Sequence, residues 1–291
     1  MTATNVPVRE PQWTSAGDRG RPSTGAVLRV AGLTAAALIV LVPVIWTVLS
    51  SFKTQSELAR RPPRVLPDQV SLENYSDALT SFDFGHYLFN SVVVTLGATL
   101  LTLAINSMAA YALAKYNFRG RNALFLLTLS VIMIPLQVIL LPVYQTVSDL
   151  GLVNSLWGMI IPAAATPTGV FILRQYMLTI PDDLIEAARL DGAGEWRIFS
   201  RIILPLATPA LAVVTIFSVV WRWNDFLWPL LVAQDEKYYT LPVALARLSS
   251  QQVVPFNLVL AMSVMSIVPV VIIFLIMERR ITTGIAQSGL K

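Results

Sequence analysis

The chain has 291 residues, of which 55% are apolar and only 13% are charged, with a mean hydropathy of +0.65. An average soluble domain is about 25% charged, so this composition excludes a soluble globule and indicates a protein whose solvent is lipid. The net charge of +4 would suit nucleic acid if the basic residues were clustered, but they lie between apolar runs. The absence of cysteine excludes disulfides and thiolate metal sites. The single histidine, His86, is predicted to be a solvated loop residue.

Six windows of the chain are long and apolar enough to form transmembrane helices. A helix needs about 20 apolar residues to cross the hydrocarbon core of a bilayer. The windows therefore predict an all-α, polytopic membrane protein with six transmembrane helices, the first an uncleaved anchor because no small-residue cleavage site follows it. They cover residues 28–51, 88–114, 123–147, 156–177, 206–228 and 257–277. Prolines inside or at the ends of these windows predict kinks that open a cavity, namely Pro135, Pro142, Pro162, Pro167 and Pro209.

The segments outside the windows give a six-span domain with two tails. Residues 1–27 are rich in Pro, Gly, Ser, Thr and Arg without apolar periodicity, which predicts a disordered N-terminal tail. The spans occupy residues 28–277, and residues 278–291 are assigned to a C-terminal tail. The long connections at 52–87 and 229–256 contain prolines and acidic residues, and they are predicted to form ordered caps or short interfacial helices.

The basic residues predict the orientation of the chain in the membrane. Lys115, Arg119 and Arg121 crowd the turn between the second and third windows, whereas the turn between the third and fourth contains no Lys or Arg. Short loops rich in Lys and Arg stay on the cytoplasmic side. The pattern therefore predicts that both termini are cytoplasmic.

One connection on the predicted cytoplasmic side, residues 179–205, is too polar for lipid and has a pattern of its own. Pro181 followed by two aspartates predicts a helix start, because acids in the first turn face the positive end of the helix dipole. The run Asp191-Gly192-Ala193-Gly194 predicts a break. A second helix is predicted to begin at Glu195 and to end at Pro205. The predicted apolar faces are Leu184, Ile185 and Ala188 in the first helix, and Trp196, Phe199 and Ile203 in the second.

This connection resembles the cytoplasmic EAA motif of ABC importer permeases. Glu186-Ala187-Ala188 is followed after three residues by Gly192, and after nine more by Ile202-x-Leu204-Pro205. The match combines residue identity, spacing, membrane side and position before the penultimate span. Three further segments resemble the smaller permease of maltose-type sugar importers, the MalG-like carbohydrate permease family, so that the resemblance covers nearly the whole chain after the N-terminal tail. They are Asn90–Arg121, Arg222–Leu231 and Ile281–Lys291.

The resemblance implies a type I ABC importer permease with the MetI-like fold, in a bacterial or archaeal plasma membrane. It implies that the loop is the coupling helix that seats in a cleft of an ATPase subunit, with Glu186 pairing with a basic residue there. The implied partners are a second, MalF-like permease, two copies of a sugar-type ATPase, an extracytoplasmic solute-binding protein and membrane lipid. The residues assigned to coupling are Glu186, Ala187, Ala188, Asp191, Gly192, Ile202, Leu204 and Pro205.

ATP hydrolysis is expected to take place on a partner subunit. None of the lysines lies in a G-x-x-x-x-G-K-[ST] phosphate loop. We therefore expect this chain to be a pore subunit and not an enzyme, to bind no cofactor, and to leave ATP and Mg to the partner ATPase. Nucleic acid is not expected as a partner, and the resemblance implies a carbohydrate as the solute, a di- or oligosaccharide.

Polar residues inside apolar spans are the candidates for the solute pathway, because such groups are costly in lipid. Asn106, Gln137, Thr166 and Thr168 qualify, although the first two equally suit hydrogen bonds between helices. Near the end of the fifth window, aromatic faces beside amide and carboxylate groups suit a sugar. An aromatic belt at the membrane interface is the favoured interpretation of the tryptophans there, and an ion pair with Arg222 is an alternative for the carboxylate. This cluster is Trp221, Trp223, Asn224, Asp225 and Trp228.

Three alternative functions remain open. An ABC permease for another solute, such as an amino acid, phosphate or glycerol phosphate, would share the motif, but the MalG-like flanks and the lack of Arg or Lys in the membrane core favour a sugar. An ion-coupled secondary transporter should show an internal repeat with charges at midplane, and it would leave the EAA loop unexplained. A membrane enzyme would need His, Asp or Glu clustered at one depth, which the spans do not offer.

Overall fold

The computed structural model describes residues 24–251 and 255–288, and regular secondary structure in those ranges is entirely helical. The chain divides between Trp46 and Thr47 into two compact units. In chain order the α-helices are α1 (Thr24–Ser50), α2 (Gln55–Leu58), α3 (Glu73–Ser81), α4 (Phe84–Lys115), α5 (Arg121–Ser130), α6 (Leu136–Asp149), α7 (Leu156–Ile160), α8 (Pro167–Met177), α9 (Asp183–Leu190), α10 (Glu195–Ile198), α11 (Leu204–Leu206), α12 (Thr208–Trp223), α13 (Leu227–Val232), α14 (Leu241–Ser250) and α15 (Phe256–Ser288). Short 3₁₀ turns cover Val131–Met133, Ile161–Ala163 and Glu236–Tyr238, and a π-helical turn covers Phe199–Ile203.

Three of the helices contain unbroken segments long and apolar enough to cross a bilayer. They are Leu28–Ser50 in α1, Phe84–Lys115, which is all of α4, and Phe256–Ile276 in α15, with mean hydropathies of 2.3, 2.0 and 2.9. Each exceeds the length of about 20 residues that a membrane crossing needs. They correspond to the first, second and sixth predicted spans.

The third and fourth predicted spans are each bent, in place of the continuous helices expected over 123–147 and 156–177. The fifth, expected over 206–228, begins at a bend that joins it to the helices of residues 195–206, and it is interrupted between the end of α12 at Trp223 and the start of α13 at Leu227. The bends measure 103° between Met133 and Leu136, 44° between Ala163 and Pro167, and 77° between Leu206 and Thr208. With each bent pair taken as one span, the chain has the six predicted spans, and the all-α membrane fold is confirmed.

Proline accounts for the first two bends. A residue that precedes proline is pushed out of the α region, because the proline ring clashes with its backbone. Ile134 before Pro135 has φ −83° and ψ 119°, and Thr166 before Pro167 has φ −122° and ψ 122°. At the third bend, Ala207 has φ −83° and ψ 4°. The predicted kinks therefore occur at Pro135 and Pro167, whereas Pro142 lies inside α6 without interrupting it.

Helix α4 lies at the centre of the second unit, where it packs against α8 and α12. A buried apolar cluster joins its Lys115 end to α8, α9 and the start of α12, through residues that include Tyr111, Leu173, Ile185 and Ile203. Polar side chains also line the buried surface of α4. They are Asn90, Ser91, Thr95, Thr99, Thr102, Asn106 and Ser107.

The two long connections contain short helices, as predicted. Helices α2 and α3 lie in the first connection, and α13 and α14 lie in or at the edge of the second. The second connection is held against the start of α4, because Asn90 donates to the carbonyl oxygens of Lys237 and Tyr239 at 2.9 and 3.0 Å. His86 belongs to the same contact, with its Nε2 2.5 Å from the Lys237 carbonyl oxygen. The predicted loop position is therefore wrong, since His86 lies in the first turn of α4, where its side chain is half-buried.

Both predicted tails lie partly outside the described residues. Residues 1–23 of the predicted N-terminal tail are outside them, and helix α1 begins at Thr24. At the other end, α15 continues through residues 278–288, which were assigned to the C-terminal tail, and residues 289–291 are outside the described part.

Substitution of Gly158 by alanine should lower the thermal stability of the protein. A Cβ at this position would lie 2.2 Å from the carbonyl oxygen of Leu152 and 3.0 Å from Val232 Cγ1. Because backbone cannot yield as a flexible side chain can, we expect a cost of about 1–3 kcal/mol. Thermal unfolding of the detergent-solubilised protein, followed by size-exclusion chromatography, measures this loss.

The matched control is Gly85→Ala in α4. A Cβ at Gly85 would meet nothing within 4 Å among the described residues, so alanine should be neutral or slightly stabilising in this helix. Equal unfolding temperatures for Gly158→Ala and Gly85→Ala would contradict the packing described around Gly158.

Candidate functional site

The predicted coupling loop forms a helix, a glycine turn and a second helix. Helix α9 covers Asp183–Leu190, so it begins two residues after Pro181, and α10 begins at Glu195. Gly192 between them has φ +78°, a left-handed conformation that only glycine adopts readily. The amides of Gly192 and Ala193 donate to the carbonyls of Arg189 and Ala188, both at 3.0 Å. This pair of hydrogen bonds is the Schellman arrangement, which satisfies the last carbonyls of a helix.

Helix α9 has one buried and one exposed side. Ile185 and Ala188 are buried in the cluster that includes Tyr111 of α4. Glu186 and Ala187 are exposed, and Leu190 is 90% exposed. Leu184, which was predicted to share the inner apolar face, is also exposed. The loop therefore presents apolar and acidic groups on a side that no other described residue covers.

The second half of the loop is anchored by its aromatic and aliphatic residues. Phe199 and Ile203 are buried, whereas Trp196, predicted to lie on the same stripe, is 69% exposed. The Trp196 ring still contacts Phe199, with ring centroids 5.5 Å apart. Of the remaining motif residues, Ile202 and Leu204 are half-buried, and Asp191 and Pro205 are exposed.

Glu195 connects the two helices of the loop to the end of α4. Its Oε1 accepts a hydrogen bond from Arg189 Nε at 2.8 Å, and its Oε2 accepts one from the Tyr116 hydroxyl at 2.5 Å. The Tyr111 hydroxyl is 3.4 Å from the same oxygen. The Arg189 and Tyr116 donors lower the pKa of the Glu195 carboxyl below its ordinary value, while burial and this carboxylate raise the pKa of Tyr116. The carboxylate therefore stays ionised as the acceptor and the phenol stays protonated as its donor near neutral pH.

Lys115 makes a second connection, at the other end of α9. Its side chain is only 4% exposed, and Nζ donates to the Ile180 carbonyl at 2.5 Å and to the Asp182 carboxylate at 2.6 Å. From the sequence alone, Lys115 is only a topology signal and Glu195 only a helix start. Their hydrogen bonds join residues that are 65 to 84 positions apart in the sequence, and no local pattern indicates such pairs.

Asn106, a candidate for the solute pathway, is fully engaged with the break in the fourth span. Its Nδ2 donates to Thr166 Oγ1 at 2.7 Å, and its Oδ1 accepts the Thr166 amide at 3.1 Å. The side chain is buried, and a Cβ on Gly169 would lie 2.2 Å from it. The structure thus supports the alternative reading of Asn106 as a hydrogen bond between helices. Gln137 lies exposed near the start of α6.

The tryptophans of the fifth span do not form a common aromatic belt. Trp223 and Trp228 are only 4% and 9% exposed, and their indole N–H groups donate to the Ser266 and Gly158 carbonyls at 3.0 and 3.1 Å. They are packing residues with satisfied donors, so the interface interpretation is wrong for both. Trp221 is 65% exposed. Asn224 donates to the Val220 carbonyl of its own helix at 2.8 Å.

A cavity of about 520 Å³ lies beside the bends of the third and fourth spans. Its walls are mostly aliphatic and include Ile132, Ile139 and Val214. A few polar or aromatic groups interrupt them, namely Thr166, Thr168, Phe217, Ser218, Trp221, Arg222, Asp225 and Trp228. Of the candidate solute residues, this cavity brings together Trp221, Asp225 and Trp228 with Thr166 and Thr168. Asn106, Gln137, Trp223 and Asn224 do not line it.

Arg222 and Asp225 give the cavity its charge. Arg222 Nη2 donates to the Ala163 carbonyl at 2.7 Å, and within the described residues its buried Nε has no hydrogen-bond partner. The suggested ion pair is not formed, since Arg222 and Asp225 do not come within salt-bridge distance in the described part of the chain. Asp225 Oδ1 is 3.4 Å from the Trp228 amide. The described residues include no group of three or more His, Asp or Glu that could hold a metal ion.

Known proteins of similar sequence are permeases. Residues 106–283 match the family described as "Binding-protein-dependent transport system inner membrane component". The chain is 39% identical over 258 residues to the arabinooligosaccharides transport system permease protein AraQ of Halalkalibacterium halodurans, covering 88% of this chain and 92% of that protein. It is 34% identical to the diacetylchitobiose uptake system permease protein NgcG of Streptomyces coelicolor, with 87% and 84% covered. It is 32% identical to the sn-glycerol-3-phosphate transport system permease protein UgpE of Agrobacterium fabrum, with 86% and 92% covered.

The fold is also found in a solved transporter. A chain in the crystal structure of a bacterial ABC transporter involved in the import of the acidic polysaccharide alginate superposes with a TM-score of 0.81 at 25% identity, over 91% of this chain and 99% of that one. The match to the family covers more than half of the chain, and the relatives are permease subunits, not enzymes. The chain therefore belongs to the binding-protein-dependent transport system inner membrane components, as a multi-pass permease subunit of the ABC importer type in the plasma membrane.

Proposed function

We propose that this chain forms one half of the translocation pore of an ATP-driven importer for a di- or oligosaccharide, delivered by a solute-binding protein. The observation that carries the coupling to ATP is the exposed side of α9, where Glu186, Ala187 and Leu190 face away from the rest of the described chain. The choice of solute is supported by the names of two relatives, which refer to arabinooligosaccharides and diacetylchitobiose.

The shape and chemistry of the α9 surface suit a protein partner. An exposed leucine alone is ordinary, but here Leu184 and Leu190 are exposed on a helix of eight residues whose other side is packed into the protein. Glu186 adds a charge that a basic residue of the partner can pair with. The proposed partner is an ATPase subunit, of which two copies would bind this chain and a second, MalF-like permease. ATP and Mg then belong to those subunits, and the loop faces the cytoplasm together with both termini.

The proposed mechanism is a two-state movement driven from the loop. Closure of the ATPases pushes α9, and the spans rock so that the cavity opens toward the binding protein and receives the solute. Hydrolysis resets the ATPases and the cavity then opens inward. Such a cycle uses rigid elements with two arrangements and needs no covalent chemistry in this chain.

The cavity beside the bent spans suits a sugar. Sugar-binding sites combine apolar or aromatic surface, which packs on C–H groups, with a small number of polar groups that bind hydroxyls. The exposed ring of Trp221 and the side chains of Thr168 and Asp225, which all line the cavity, provide this combination.

Glycerol phosphate is the second candidate solute. Arg222, in the last turn of α12, lines the cavity with a buried Nε that has no partner among the described residues, and it supplies a positive charge there. A guanidinium group suits a phosphate, and a relative is named for sn-glycerol-3-phosphate transport. Against this candidate, Asp225 lies in the same cavity and offsets the charge that a phosphate would need.

Changes on the exposed side of α9 should separate the permease from its ATPase. Glu186→Ala and Leu190→Asp should each weaken ATPase binding by about 1 kcal/mol or more, because they remove a charge or place one on an apolar contact. Gly192→Pro should disrupt the turn, since proline requires φ near −65° and Gly192 has +78°. The measurement is the amount of ATPase that co-purifies with the detergent-solubilised chain.

The control for these variants is Glu73→Ala, which makes the same charge change on α3 and should leave co-purification intact. Wild-type protein that brings down no ATPase, together with uptake that persists after ATP depletion, would overturn the importer mechanism and favour an ion-coupled transporter.

Neutralising Asp225 should distinguish the two solute classes. In a sugar importer, Asp225→Asn should reduce oligosaccharide uptake several-fold, because a carboxylate accepts stronger hydrogen bonds from hydroxyls than an amide does. In a glycerol phosphate importer, the same change should increase uptake. It removes from the cavity a negative charge that would repel the negatively charged phosphate. Uptake of each labelled solute into proteoliposomes measures this, with Trp157→Ala, an exposed residue outside the cavity, as the control.

A further inference from the structure

Both ends of α9 are bonded to the same end of α4. At the start of α9, Lys115 holds the Ile180 carbonyl and the Asp182 carboxylate. At its end, Arg189 binds Glu195, which in turn accepts the Tyr116 hydroxyl. Between these points, Ile185 and Ala188 pack in the same cluster as Tyr111. Lys115 and Tyr116 lie outside the EAA motif, and Glu195 lies within its length but is not one of its specified residues.

Without these contacts, the glycine turn after α9 would transmit a displacement of α9 poorly. Gly192 and Gly194 follow the helix, and glycine backbone changes its dihedral angles at little steric cost. A displacement of α9 could then be absorbed by rotation at the turn. The Glu195 contacts oppose this, because one carboxylate binds a side chain from α9 and a hydroxyl from just beyond α4 across that turn.

Helix α4 leads from this clamp to the cavity. Its Asn106 bonds Thr166, and its Thr102 donates to the Ala163 carbonyl at 2.9 Å. Thr166 and Ala163 both line the cavity at the bend of the fourth span. A movement of α4 along or about its axis would therefore act directly on the cavity wall.

We propose that Glu195, Tyr116 and Lys115 form a clamp that positions the coupling helix on α4, so that movement of α9 reaches the cavity instead of being absorbed at the Gly192 turn. This inference rests on the proposed function, in which an ATPase binds the exposed side of α9. The three residues are positioning residues, since they touch neither the ATPase-facing side of α9 nor the cavity.

The test compares solute uptake with ATP consumption in the reconstituted importer. The variants are Tyr116→Phe, which removes only a hydroxyl, Glu195→Gln, which keeps the shape but removes the charge, and Lys115→Met. Their ATPase should remain bound and should hydrolyse ATP at a rate near that of the wild type. Uptake per ATP should fall by about 2- to 30-fold, the range expected for residues on a coupling path. In the double variant Tyr116→Phe/Glu195→Gln the losses should be non-additive, because the first change removes and the second weakens the same hydrogen bond between Tyr116 and Glu195.

The matched control is Tyr176→Phe. Tyr176 packs against the same apolar cluster, but its hydroxyl makes no hydrogen bond within the described residues, so uptake per ATP should stay at the wild-type value.

Each other outcome decides against the clamp. Bound ATPase with unchanged uptake per ATP in all three variants would overturn it while leaving the proposed function intact. Loss of the ATPase from Tyr116→Phe would assign these contacts to docking. Loss of uptake that only follows loss of folded protein would assign them to stability. Absence of the ATPase from the wild-type complex would instead overturn the proposed function, and the clamp with it.

Discussion

The polar face of α4 is the constraint on which the broken fourth span depends. In hydrocarbon, an unsatisfied backbone group costs several kcal/mol, so a span can be broken only where a neighbour supplies the missing hydrogen bonds. Asn106 bonds both the amide and the hydroxyl of Thr166 at the break of the fourth span. The Ala163 carbonyl beside it accepts from Thr102 and from Arg222. One helix face therefore makes a proline break compatible with a membrane environment.

The same breaks produce the space in which a solute could be held. Straight helices of this composition would pack their aliphatic side chains together, but the bends at Pro135 and Pro167 leave the cavity between them. Thr166 reaches that cavity because the backbone there has left the helical conformation. The polar groups of the cavity are consequently few and placed by backbone geometry, in keeping with a site that binds a solute and releases it in each cycle.

Much of the fold could be predicted from the sequence, because apolar length is a local property. The number of spans, the helix–glycine–helix loop and the breaks at proline all follow from residues near one another in the chain. The buried polar face of α4 could not be predicted, because threonine also occurs on helices that face lipid. Thr99 and Thr102 acquire a role only through their hydrogen bonds to Ser218 and to the Ala163 carbonyl. Trp223 and Trp228 were misassigned for the same reason, since burial depends on how distant spans pack. From the sequence, Lys115 is a topology signal. Its hydrogen bond to Asp182, which is 67 positions further along the chain, could not be predicted from neighbouring residues.

Helix α4 joins the two functions that an importer must coordinate. Its middle satisfies the broken span at the cavity, and its end carries the contacts that hold α9. A helix of 32 residues is about 48 Å long, and its continuous hydrogen bonding resists bending and compression far more than a loop does. Since α4 has no interior proline, in contrast to α1, α6 and α15, it is suited to carry displacement between the two sites. Under the proposed mechanism, the flexibility that alternating access requires then lies in the bent spans that pack around α4, and α4 itself provides the fixed length against which they move.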